Sequence, residues 1–402
     1  MIRSWGASTL IATALVATLV GRAHANLLYV DDDHSDPFEC AAAPYTTIAA
    51  AMAVAQPGDE IRVCPGTYRE QVVITMPVRV TGVSFGTARP VIRPPALPAS
   101  RPSMLGSQSI TAGILIDDGF AKLTNLDVDL SDANVTTCSP LLAGVYLRNT
   151  SGEIDRINVA NVRVAGQPDC DSGVGIYLES GQTGEVLGHP IFDVARVYMR
   201  NTTTQGFQKA GVVANGPRTI VVVKGGSAFG DGPSAHAVQA GYQFGYGAKA
   251  KVSDVAIRDI KSTLPSKAAA GVLVYQTNRV MLHALDVTAC QEGVLSIGDR
   301  TRVKKGSFVG LAADGIAFFG NANLAAGNFI DAASVSGVFV SGNGNSIRGG
   351  VMRDLLRGFW FGNGDGNVWG NVEFQNVPVA GQGPYGGVRD LNASWAVPFH
   401  TQ

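Results

Sequence analysis

The sequence predicts an all-β parallel solenoid, and three observations carry that prediction. A Gly-apolar-x-apolar phrase recurs ten times: GILI at 113, GVYL at 144, GIYL at 175, GVVA at 211, GYQF at 241, GVLV at 271, GVLS at 293, GIAF at 315, GVFV at 337 and GFWF at 358. The spacings are 31, 31, 36, 30, 30, 22, 22, 22 and 21 residues, and two more short alternating segments follow each phrase. Three short strands and three turns fill about 22 residues, a solenoid length; hairpins would alternate strand direction and would not return the same phrase. Charged residues make up only 16% of the chain against 49 glycines, which suits a turn-rich β protein with a continuous core.

The first 25 residues read as a secretory signal: Arg3, the apolar run STLIATALVATLVG and a small-x-small AHA at 23–25. That run is short for a membrane span, and no later segment reaches 18 apolar residues. The mature chain is therefore expected to start near Asn26, exported and without a membrane span. Without Arg3 and Arg22, 31 − 2 = 29 basic residues face 32 acidic ones, a net charge of 3 negative. That balance gives no basis for nucleic acid or an anionic membrane as partner. The solenoid is expected over 26–383, with a cap helix at 46–56 and regular coils from 59, and a tail over 384–402.

In YTTIAAAMAVAQPGD (45–59), Thr46 or Thr47 reads as a helix N-cap and Pro57-Gly58 as the stop. Such a helix covers the open strand edge and apolar end of a solenoid. DEIRVCPGTYREQVVI (59–74) then lays down the first coil rather than a hairpin. Cys64 ends its first strand beneath the cap, where Cys40 can staple the leading loop to it. Cys138 and Cys170 stand 32 apart, close to the local repeat, which places them on neighbouring coils within disulfide reach. Export favours both bonds, the alternative being free buried thiols. Cys290 is left as a buried thiol in a strand. Asn323, Asn345 and Asn367, 22 apart, read as a stacked amide ladder at a left-handed corner rather than as a metal or sugar site.

The stretch YTTIAAAMAVAQPGDEIRVCPGTYREQVVI resembles the opening of right-handed parallel β-helix proteins of the pectin lyase-like superfamily. It is especially similar to the TI-x-x-A … GD-x-I-x-V-x-PGTY-x-E phrase of secreted β-helix repeat proteins. Thr47, Gly58, Asp59, Pro65, Gly66, Tyr68 and Glu70 occupy that phrase as structural positions. The resemblance implies a single right-handed parallel β-helix. It carries no activity over, because the DFIFG and LGRPW phrases of pectin methylesterases are absent. The NTD, GHG and RIK phrases of polygalacturonases and the WIDH and RxPxxR phrases of pectate lyases are absent too.

Alternation points the third and fifth residues of each repeat phrase outward. Stacked coils then form two columns with neighbours about 4.8 Å apart. The third-position column runs from Leu115 through Tyr146, Tyr177, Val213 and Gln243 to Trp360; the fifth runs from Asp117 through Arg148, Glu179 and Asn215 to Gly362. The first coils thus set Asp117, Arg148 and Glu179 in a row beside Tyr146 and Tyr177, where the long loops are. In β-helix polysaccharide enzymes this kind of face holds the sugar chain. The resemblance lends weight to this location, and the outward columns make Asp117, Arg148 and Glu179 candidate catalytic residues and Tyr146, Tyr177 and Asn215 candidate substrate contacts for a polysaccharide partner, expected to be acidic. Carboxylates two coils apart would stand about 9–10 Å from each other, at the upper edge of the inverting-hydrolase range. The same group could hold calcium and supply the base for uronic-acid elimination. The plain alternative is an exposed acid–Arg–acid ladder of little energetic consequence. Asp231 and Lys209 can approach this face from longer loops.

The DDDHSD run at 31–36 is either a cation site or a solvated lead-in, and scattered histidines support no zinc site. No cofactor is required; calcium is the one metal the residues suggest. Further along, the outward columns turn apolar at Leu295, Ile297, Phe319, Phe339 and Trp360, to be covered by Tyr385, Trp395 and Phe399 of the tail, by a partner, or by stacked sugar rings. Two function classes follow for a protein expected to be monomeric and secreted, periplasmic or at the cell surface. One binds an acidic polysaccharide, with or without cleavage as a lyase or hydrolase. The other is a non-catalytic surface, adhesin or structural solenoid.

Overall fold

The computed structural model describes residues 25–35, 37–186, 189–235, 239–264, 268–383, 388–390 and 399–401. The expected signal segment lies outside these residues apart from its last position, as does most of the tail, Tyr385 and Trp395 included. The described chain is a right-handed parallel β-helix. Each coil lays one strand on each of three faces, and each strand pairs in parallel with its counterpart one coil on. On the first face Val174–Glu179 pairs with Ala210–Asn215, which pairs with Gln239–Gly245. On the second, Glu60–Val63 pairs with Val78–Gly82, and later Lys249–Ser253 with Met281–His283. On the third, Gly66–Tyr68 pairs with Pro90–Ile92, and later Asp286–Thr288 with Ser307–Leu311.

The opening stretch behaves as its alternation predicts: Glu60–Val63, Gly66–Tyr68 and Val72–Ile74 go to three different faces. The solenoid edge is closed differently from the expectation. Leu27–Val30 adds one more rung beside Glu60–Val63, so the chain itself covers the second-face edge. The helix, Ile48–Val54, plugs the apolar end with Ile48 and Ala51. Thr47 caps it by accepting the Ala50 N–H at 3.2 Å. Glu70 accepts the N–H groups of Ile48 and Ala49 at 2.7 and 2.8 Å, which satisfies two more donors of the first turn. Tyr68 donates its hydroxyl to the carbonyls of Val30 and Cys64. Asp59 accepts the N–H groups of Asn26 and Gln56, and those bonds hold its carboxyl below the usual range. The opening phrase is thus a set of caps.

The repeat glycine has a steric cause. It faces the interior, as does the apolar residue after it, so strict alternation breaks there. A Cβ on Gly144 would stand 2.7 Å from the Gly175 carbonyl oxygen of the next coil, and one on Gly211 would stand 2.7 Å from that of Gly241. Two consecutive inward residues turn the residue before the glycine outward, adding a third outer column that the sequence reading did not contain. In ten successive coils the second corner turns on one left-handed residue: Asn125, Arg156, Asn201, Gly225, Asp254, Ala284, Lys305, Gly327, Gly349 and Asn371.

The ladder Asn323–Asn345–Asn367 forms, but mainly as side chain to backbone: Thr301 N–H donates to Asn323 Oδ1, Asn323 N–H to Asn345 Oδ1, and Asn345 N–H to Asn367 Oδ1. These asparagines are not left-handed; Ala322, Gly344 and Gly366 just before them are. Cys40–Cys64 and Cys138–Cys170 are disulfides with Cα separations of 6.0 and 5.4 Å. Cys290 is free and buried but sits just after the strand Asp286–Thr288 rather than within one. Burial pushes its thiol up to about 12. The outer columns hold register as expected until the rung of the tenth phrase, where Ser341 pairs with Asn363 and Gly362 is bulged out.

Candidate functional site

Asp117, Arg148 and Glu179 stand side by side on three consecutive first-face rungs. They do not form an open row. Within the second coil, between Ile92 and the first-face rung, the chain folds back as an antiparallel strand, Ser100–Pro102, against Ile110 and its neighbours, and makes a strap across the first face. Arg101 Nε and Arg148 each donate to one oxygen of Asp117, at 2.5 and 2.8 Å. Arg148 also donates to the Pro102 carbonyl at 3.1 Å. The acid–Arg–acid ladder is therefore half made, because Arg148 pairs with Asp117 and not with Glu179.

Glu179 is fully buried beneath the strap. It accepts Ser103 Oγ at 2.9 Å, the Met104 N–H at 2.8 Å and the hydroxyls of Tyr146 and Tyr177. The two tyrosine rings stack at 5.6 Å, and burial first, then the Glu179 charge, pushes both hydroxyls above their ordinary range. Both stay protonated, as their donor role requires. A carboxylate sealed by four donors is an anchor for the strap, and Tyr146, also fully buried, offers no surface to a sugar ring. Both expectations, Glu179 as an open catalytic acid and Tyr146 as a substrate contact, are corrected for that reason.

The strap divides the surface. On one side a cleft of about 290 Å³ is lined by Ser103, Gln108, Tyr177, Lys209, Asn215, Gln243 and Tyr246, among others. Asn215 donates to the Tyr177 hydroxyl at 3.3 Å, while its Oδ1 is buried and has no donor. Lys209, at the cleft wall, pairs with Asp171. Asp231 pairs with Arg163 rather than joining this cleft. On the other side of the strap a second depression is lined by Asp118, Arg148, Asn149, Gln182 and Asp193.

The third outer column carries chemistry that the sequence reading missed. From Ala270 the register passes to Glu292, then along neighbouring coils to Asp314, Ser336 and Arg357. Asp314 N–H donates to Glu292 Oε2 at 3.2 Å, and Ser336 Oγ to Asp314 Oδ1 at 2.5 Å. Burial and the neighbouring Asp314 push Glu292 up to about 8; burial raises Asp314 too, against the pull of Ser336 and Arg357. Arg357 lies 4.6 Å over the Trp360 ring, and Phe339 packs between Phe319 and Trp360. The available signal was the replacement of alanine by Glu and Asp just before the glycine of GVLS and GIAF. Of the expected apolar patch, Leu295 is buried, whereas Ile297 and Phe319 stay about half exposed at 43% and 48%.

Asp31, Asp32 and Asp33 bring carboxylate oxygens within 4.8 Å of one another. An all-oxygen set of that kind suits a hard cation such as calcium. It lies next to the first rung of the second face, and among the described residues no such group gathers at Asp117 and Glu179. No helix of the described residues is long and apolar enough to cross a membrane.

The class is that of a right-handed parallel β-helix with a strap over its first face. Residues 34–86 match the profile of a family described as a protein of unknown function, DUF1565. The periplasmic alginate epimerase AlgG has a similar structure, with a TM-score of 0.50 at 13% identity over 83% of this chain and 77% of that one. The GH136 lacto-N-biosidase from Eubacterium ramulus gives a TM-score of 0.49 at 14% identity over 91% and 68%. The catalytic unit of a GH87 alpha-1,3-glucanase from Streptomyces thermodiastaticus gives 0.48 at 12% over 85% and 63%. At such identities the likeness to the alginate epimerase shows the fold alone. No curated protein sequence matches the chain.

Proposed function

We infer that this is an exported β-helix protein that binds a polysaccharide in the cleft beside the strap. The observation that carries the reading is the lining of the cleft, where the side chains of Asn215, Gln243 and Tyr246 gather beside the strap on neighbouring rungs. Gln243 and Tyr246 add polar groups on the next rungs, and the Tyr246 ring, 47% exposed, offers an apolar face to a pyranose. The two disulfides support an oxidising compartment. The carbohydrate-acting proteins that share the fold support the substrate class.

Cleavage, if the protein performs it, belongs to Glu292 and Asp314 rather than to Asp117 and Glu179. Carboxylates on adjacent rungs, about 5 Å apart, have the spacing of a retaining pair, and a Glu that keeps its proton near neutrality is a general acid. A second reading, a non-catalytic structural or adhesive solenoid, is favoured by one observation, the sealing of Glu179 under the strap. Affinity electrophoresis of the mature chain through gels containing individual polysaccharides separates the two. Retardation that Asn215→Ala and Gln243→Ala reduce supports the cleft; free mobility in every gel sinks it.

A further inference from the structure

The second face carries a feature that the glycan cleft does not use. From the rung of Lys224 to that of Lys304 two of its outer columns are cationic. One runs Lys224, Ser253, His283, Lys304 and the other Lys251, Met281, Arg302, with Lys249 two positions before Lys251. All of these cations are exposed, and all but Lys249 line, with Asp254, a shallow groove of about 500 Å³. Earlier in the same columns the charges are balanced. Lys122 pairs with Glu153 at 3.0 Å, and Arg200 approaches the same carboxylate at 4.0 Å. Beyond Arg200 the acids stop. Among the described residues Lys224, Lys249, Lys251, Arg302 and Lys304 make no ion pair, and Asp254 is the one carboxylate among those lining the groove.

In a protein whose whole charge is −1, this concentration does not follow from composition. The first face is the reverse: Arg101 and Arg148 are spent on Asp117, and Lys209 on Asp171. We propose that the groove over Lys224, Lys251, Arg302 and Lys304 is the binding surface for an anionic polysaccharide, carboxylated or sulfated. Over four rungs about 4.8 Å apart, each close to the length of one sugar along an extended chain, Lys224 stands on the first, Lys251 on the second, His283 on the third and Arg302 with Lys304 on the fourth, so an anionic chain running along the groove meets Lys or Arg on three of the four. Met281 is the one large exposed apolar side chain in the groove, whereas a membrane-binding face carries several such residues for insertion. The proposal rests on the reading of the protein as a glycan binder and moves the acidic part of the ligand off the first face.

The test uses the full mature chain with polygalacturonate and chondroitin sulfate as probes, dextran as the neutral control and phosphatidylserine vesicles as the alternative anionic surface. Binding is measured by calorimetry at about 50 and about 200 mM salt for wild type, a Lys251→Ala/Arg302→Ala/Lys304→Ala variant and an Asn215→Ala/Gln243→Ala variant. Melting curves confirm that the exposed substitutions leave the fold intact. The expected result is salt-sensitive binding of one of the anionic polymers: the cation variant weakens it about tenfold or more and removes most of its salt dependence, whereas the Asn215/Gln243 variant lowers affinity and keeps the salt dependence. Equal affinity of the cation variant, no binding of either anionic polymer at low salt, or preference for the vesicles would overturn it. Failure of the cleft reading shows separately, as insensitivity of every glycan to Asn215→Ala/Gln243→Ala.

Discussion

Ser103 donates its hydroxyl to Glu179 at 2.9 Å across 76 positions of chain, and that bond locks the strap over the first face. Glu179 holds three further donors in the same buried spot, so its removal strands all of them. Glu179→Ala is expected to cost about 3 kcal/mol or more, read as a lower urea midpoint. Ser103→Ala should cost about 1 kcal/mol and speed proteolysis within the strap. Equal stability of Glu179→Ala and wild type would remove the anchoring role.

The glycine repeat makes a steric prediction with an opposite control. A Cβ on Gly315 would lie 2.5 Å from the Gly337 carbonyl oxygen and 2.7 Å from Ile330. Gly315→Ala should therefore destabilise by about 3 kcal/mol. Ala284 is left-handed, with φ +50°, so Ala284→Gly should stabilise by roughly 1 kcal/mol. Denaturant titration of both variants checks the pair of signs.

Glu292 makes stability depend on pH. Its ordinary value is 4.5 and its value in the fold about 8. Between these the unfolded chain has released a proton that the native chain keeps, so stability falls as pH rises through that window. Melting temperature followed from pH 5 to pH 8 should fall in wild type and fall less steeply in Glu292→Gln. Identical slopes would mean that Glu292 titrates as an ordinary carboxylate.

Cys290 is inert while the fold stands. It is fully buried, and its thiol is pushed up to about 12. A thiol reagent at neutral pH should find no reactive group in the native oxidised chain and one after unfolding in denaturant without reductant. Two or more thiols after unfolding would show that Cys40–Cys64 or Cys138–Cys170 is open in solution.

The helix cap tests the opening phrase. Glu70→Ala removes the acceptor for the Ile48 and Ala49 N–H groups, while Thr47 still serves Ala50. The expected loss is about 1–2 kcal/mol, with faster amide exchange confined to those two residues and the cap. Unchanged exchange at Ile48 and Ala49 would mean that the backbone donors find another partner.

Sequence alone determined what is periodic or local. The coil rhythm, the strand faces, both disulfides and the capping phrase could be read because a stacked coil repeats its own spacing, and because caps join residues that the first coil brings together. The third outer column was not legible, because alternation carried through the glycine puts the preceding residue on the wrong side. Only packing shows that Gly and the residue after it both turn inward, which sends Glu292 and Asp314 out. Nor could Asp117, Arg148 and Glu179 be judged from their row. Their fate depends on Arg101 and Ser103, which a hairpin of otherwise unpatterned chain carries back across the face. Which cations stay free on the second face was likewise a tertiary matter. Ion pairing there is decided between coils of unequal length, so neighbours in space stand at irregular distances along the chain.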